Sequence, residues 1–120
     1  QMGSIYPFRN EFVLTLDELA TIQSQINEYN TAIYSLAQDH SLAVADIRSK
    51  VAALTTGFVY NGITMSSKFV SGGAYSLDGL YFNPRGSAIM ANEIIKALNS
   101  KYKANIKQVN AVAYGATYFP

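Results

Sequence analysis

The sequence contains no cysteine. That excludes disulfides, thiolate metal sites and a cysteine nucleophile together, while leaving the redox compartment open. Histidine occurs once, at position 40, so any metal site would rest on carboxylates, and Asp39, Asp46 and Asp78 show no ligand spacing. No metal and no cofactor are expected. Only 14% of residues are charged, and the nine Lys and Arg are scattered. Without a basic footprint, nucleic acid is not an expected partner. No apolar run is long enough to cross a bilayer, so no transmembrane segment is expected, and the N-terminus has no basic-then-apolar leader. The glycines match neither a phosphate loop nor the dinucleotide fingerprint, and no Gly-x-Ser-x-Gly elbow occurs.

What is present is enough for a core. At 120 residues with 49% hydrophobic content, residues 1–120 read as a single globular domain, small for a complete hydrolase on a parallel sheet. The sequence starts on Gln1 rather than methionine and continues into Gly3-Ser4. A processed, cut or engineered start is therefore expected, and with it room for an upstream part.

Residues 5–14 suggest an extended lead-in. Thr15 with Glu18 forms a capping-box pattern, and Asp17 adds negative charge where the helix dipole favours it. Leu19, Ile22, Ile26, Tyr29, Ile33 and Leu36 follow at alternating steps of three and four, which predicts a helix ending near Gln38 or Asp39. The rhythm also fits a short coiled-coil seam, but systematic flanking charge is missing, so a helix packed on a sheet or another helix is the preferred reading. "SLAVAD", 41–46, reads as a buried parallel strand, and residues 47–56 as a helix stopped by Gly57. Residues 58–82 read as an irregular, Gly- and Tyr-rich segment with short extended pieces, the kind of stretch that shapes a site. Asn83-Pro84 opens a last helix whose buried stripe is expected at Ala91, Ile94, Leu98 and Tyr102. The tail, 104–120, is too apolar to be left without a surface to cover.

Hydrolytic chemistry needs a nucleophile, a base near neutrality and a group that orients the base. His40 precedes the expected strand, at the wrong edge of a parallel sheet, which favours a surface or helix-terminus role. Asp46 would end the expected strand at the correct edge, where a carboxylate could orient a loop, but capping the following helix is the preferred reading. Asp78 stands in a Gly-flanked loop ahead of a helix N-terminus, where a catalytic acid and a plain Asx-type turn are both open readings. Tyr81 has a phenol that is protonated at neutral pH and so a poor general base; packing or hydrogen-bond donation suits it better.

The block "GGAYSLDGLYFNPRGSAIMANEIIKALNSKY", 72–102, resembles the C-terminal block of SGNH hydrolases, the GDSL-type esterases and lipases, and most closely a branch from gut Bacteroidetes with the pattern "GGxFSLDGVHPxPRGYAxxANxFIxxIN". The stretch "EFVLTLDELATIQSQINEYNTAIYSLAQDHSLAVAD" is similar to the helix and strand preceding it, so the resemblance covers most of residues 6–106. It implies an α/β protein with a flavodoxin-like three-layer α/β/α fold, here in part, completed by self-association or a missing N-terminal half. It also implies an Asp-x-x-His motif in which Asp78 matches the acid and Tyr81 occupies the histidine's place. The family's serine belongs to an N-terminal Gly-Asp-Ser block, and its oxyanion glycine and asparagine to middle blocks; none has a match here, and Ser76 is not that nucleophile. The expectation is a relative or fragment without ester hydrolase activity of its own, a pseudoenzyme with an extracytoplasmic location implied by the family alone. The alternative is a non-catalytic module in which Tyr60, Tyr75, Tyr81 and Phe82 bind carbohydrate or protein. A third reading, an enzyme completed by an upstream domain, retains an ester ligand.

Overall fold

A computed structural model describes residue 3 and residues 5–116. These carry three α-helices and one two-stranded antiparallel sheet, a mixed α and β composition, and the chain divides into two units, Gln1–Leu42 and Ala43–Pro120.

The first unit is built on α1, Leu16–Asp39. Its start follows the expected chemistry. Thr15 accepts from the Glu18 N–H, and the Glu18 carboxylate accepts from the Thr15 N–H and hydroxyl at 2.9 and 2.8 Å. These bonds satisfy otherwise orphaned groups of the first turn and hold the Glu18 pKa below its ordinary value. At the other end His40 is the C-cap residue, its N–H donating to the Leu36 carbonyl, which is the helix-terminus role expected of it. The lead-in holds one short 3-10 turn, Asn10–Phe12.

Residues 42–46 form no strand, a correction to the parallel strand expected at 41–46. A strand needs a ladder partner; the Ala43 N–H instead donates to the Tyr102 hydroxyl at 3.0 Å. Asp46 acts as the cap, accepting from the Ser49 N–H and hydroxyl, and α2 runs Ile47–Thr56 to Gly57, whose φ of 81° is the conformation glycine adopts without strain.

Two strands follow, β1 Phe58–Tyr60 and β2 Ile63–Met65, paired antiparallel across Asn61-Gly62. Both turn residues have positive φ, 47° and 82°, as a two-residue hairpin turn of the primed type requires. The expected irregular segment therefore begins with a regular hairpin.

α3, Pro84–Tyr102, starts at Asn83 as expected. Its buried face is Gly86, Ala88, Ile89, Met90 and Asn92, whereas Ile94 and Tyr102 are exposed. The stripe expected from apolar spacing is met in part, with Ala91 and Leu98 half-buried, and the covered side also takes in Ile89 and Met90 together with the small Gly86 and Ala88 and the polar Asn92. Leu54 of α2, Met65 of β2, Ala74, Ile89 of α3 and Ala111 form the centre of the core, flanked by Phe58, Tyr60, Tyr75 and Phe82. Glu93 bridges the helices, reaching Lys96 at 2.8 Å and Lys50 at 3.5 Å, while Lys50 lies over the Phe58 ring. Burial pushes the Glu93 pKa up, but the two lysines outweigh it and the net shift is downward.

Beyond α3, Lys103 adopts a left-handed conformation, ending the helix, and the chain returns along it. Residues 104–110 are exposed; among the described residues of the tail, Ala111 is buried. Residues 117–120, the end of the apolar tail, lie outside the described residues.

Candidate functional site

The site grows from the polypeptide between β2 and α3. Ser66 forms a parallel bridge with Gly73, and the Ser66 N–H donates to the Gly72 carbonyl. Gly72 is required by close approach: a Cβ there would lie 2.2 Å from the Ser66 carbonyl oxygen. Between them the Ser71 N–H donates to the Phe69 carbonyl at 2.7 Å, a γ-turn whose central residue, Val70, has φ of 65°. A β-branched residue in that region is strained. The turn leaves Phe69 exposed, and a Cβ on Gly79 would touch the Phe69 ring at 3.4 Å.

Residues 75–82 fold back on themselves. Tyr75 and Phe82 form an antiparallel bridge and their rings stack with centroids 5.1 Å apart, and the Ser76 N–H donates to the Tyr81 carbonyl. Asp78 sits at the tip. Its Oδ1 accepts from the Leu80 N–H at 2.9 Å, from the Tyr81 N–H at 3.1 Å and from the Ser76 hydroxyl. Donors on the charged form favour ionisation, so the Ser76 hydroxyl first, then the Leu80 and Tyr81 amides, hold the Asp78 carboxyl below its usual range.

Asn83 fastens this loop to the helix. Its carbonyl oxygen accepts from the Gly86 N–H, while its amide nitrogen donates to the carbonyls of Gly73 and Tyr75 at 2.9 and 3.2 Å. It is buried. Gly86 lets the strands of loop and helix meet, because a Cβ there would stand 2.2 Å from the Ala74 carbonyl oxygen.

The structure thus brings Asp78 and Tyr81 into one turn, joined through the Tyr81 backbone; Tyr81 is 73% exposed. Ser76 spends its hydroxyl on Asp78. The only imidazole, that of His40, belongs to the end of α1. Of the expected aromatic surface, Tyr60, Tyr75 and Phe82 are half-buried against the core, and the Tyr60 hydroxyl accepts from the Asn92 amide at 2.8 Å. Tyr75 lines a hollow of about 380 Å³ together with Ser67, Phe69, Gly79 and Leu80. Phe69 and Leu80, both exposed, were not singled out by sequence; the signal for Phe69 was the glycine pair just downstream of it. Among the described residues no group of three His, Asp or Glu side chains is placed to hold a metal ion, and no helix is long and apolar enough to cross a membrane.

Compared with family models, with curated proteins and with solved structures, the chain matches none.

Proposed function

We propose that this chain corresponds to the acid-bearing C-terminal portion of an SGNH/GDSL-type ester hydrolase and has no ester hydrolase activity of its own. The observation that supports the reading most directly is the Asp78 loop: an ionised carboxylate immobilised at a tip just upstream of the Asn83-capped helix, with a phenol three residues on. An ionised, positioned carboxylate suits the orientation of an imidazole. Tyr81 offers no imidazole, and Ser76 is bound to the acid rather than to a base. In this reading the three-layer fold is completed by an N-terminal half or a second copy, and the protein works outside the cytoplasm. A fluorophosphonate probe, which labels activated serines, is expected to leave the chain unlabelled. Stoichiometric labelling that disappears in Asp78→Ala would contradict the reading.

A second reading is favoured by the hollow beside Phe69: a binding module for a carbohydrate or protein. Strain at Val70 spent on displaying an aromatic ring is the kind of feature that accompanies a binding function, and Phe69, Leu80 and Tyr81 add exposed apolar area beside the Asp78 carboxylate. Glycan-array binding lost in Phe69→Ala and Tyr81→Ala would establish it; an array without signal would remove the carbohydrate version.

A further inference from the structure

α1 carries its own instruction for a partner. Leu19, Ile22, Ile26, Tyr29, Ile33 and Leu36 alternate at steps of three and four residues, the rhythm of a coiled-coil seam, and each is between 39% and 64% exposed. We infer that α1 pairs with α1 of a second copy of this chain, antiparallel across a two-fold axis. The inference is independent of the hydrolase reading.

The sequence of the seam selects the orientation. Read in either direction it runs Leu, Ile, then Ile or Tyr, so an antiparallel pair sets Leu19 against Leu36 of the second copy, Ile22 against Ile33 and Ile26 against Tyr29. Each layer joins residues of matching or complementary size, and both copies present the same patch, as a two-fold interface demands. A parallel pair would stack Tyr29 on Tyr29 in one layer and leave aliphatic layers elsewhere, which packs less evenly. The flanks offer no obstacle: Gln23 meets Asn30 of the second copy, and Gln25 meets Ala32. The one like-charge approach, Glu18 with Asp39 of the second copy, falls at the exposed ends, where screening is strong, and it brings Asp39 to the positive N-terminal end of the other helix.

The seam runs from Leu19 to Leu36 of α1, about 26 Å along a helix, and its six large side chains are the apolar surface such a pair would bury.

The native absence of cysteine makes the test clean. Leu19→Cys and Leu36→Cys variants of the full chain, mixed and oxidised, are expected to form a cross-linked heterodimer, while neither variant cross-links alone. In light scattering the parent chain is expected to be dimeric at micromolar concentration, and Ile26→Asp with Ile33→Asp to weaken the dimer at least about 1000-fold, helicity by circular dichroism reporting whether α1 persists. A monomeric parent chain would overturn the inference, as would cross-linking of Leu19→Cys with itself or a dimer indifferent to the aspartates. An inactive protein that nevertheless dimerises this way, or a monomer that does or does not cleave esters, separates this inference from the proposed function.

Discussion

The side-chain amide of Asn92 holds both backbone groups of Val109, its Nδ2 donating to the Val109 carbonyl and its Oδ1 accepting the Val109 N–H, each at 2.8 Å. Asn99, two helical turns on, does the same to Ile106 at 2.9 Å. Two amides on one face of α3 thereby stand in for a neighbouring strand and tie the returning chain to the helix. Asn92, fully buried, also donates to the Tyr60 hydroxyl.

Asn92→Ala should therefore cost about 2–3 kcal/mol in denaturant unfolding, because it strands partners at a buried position. Asn99→Ala, nearer solvent, should cost less than about 1 kcal/mol. Equal costs at the two positions would contradict the role given to burial.

Gly86→Ala should destabilise by about 3 kcal/mol or prevent folding, since the new methyl meets backbone rather than a movable side chain. Gly62→Ala provides the contrast. Nothing lies within 4 Å of where its new Cβ would stand, so only the positive φ is penalised, by about 1 kcal/mol. Thermal unfolding of the two variants side by side checks the ranking.

Acid should weaken the protein in a predictable direction. Asp78, Glu18 and Glu93 all have pKa values lowered by folding. Their stabilisation is complete above the unfolded carboxylate values and is lost as pH falls through the lower folded ones. Stability should be flat from neutrality to about pH 5 and decline below about pH 4. In an NMR titration the Asp78 carboxyl should titrate below 3.8, its ordinary value, and Ser76→Ala should raise it. A midpoint above that value would contradict the Asp78 loop geometry.

Much of this was legible in the sequence wherever a local rule acts alone. The Thr15–Glu18 capping box, the Asp46 and Asn83 caps and the Gly57 stop are each decided within a few residues, and α1, α2 and α3 start where those signals stand. The hairpin was also written locally, in Asn61-Gly62 between Val59-Tyr60 and Ile63-Thr64, but the surrounding glycines and tyrosines masked it. The errors arose where distant partners decide. Residues 42–46 have strand composition without a paired strand, and α3 buries Gly86 and Asn92, which apolar periodicity does not count. For the site, the Asp78 and Tyr81 positions were readable; that Ser76 and two amides occupy Oδ1, and that Phe69 overlies Gly79, required the fold of 66–82.

The most direct test of the central claim is hydrolysis of p-nitrophenyl acetate by the purified 120-residue chain. Turnover indistinguishable from the uncatalysed rate, unchanged by Asp78→Ala and by Tyr81→His, is the predicted result. Saturable turnover well above that rate, abolished by Asp78→Ala, would contradict it.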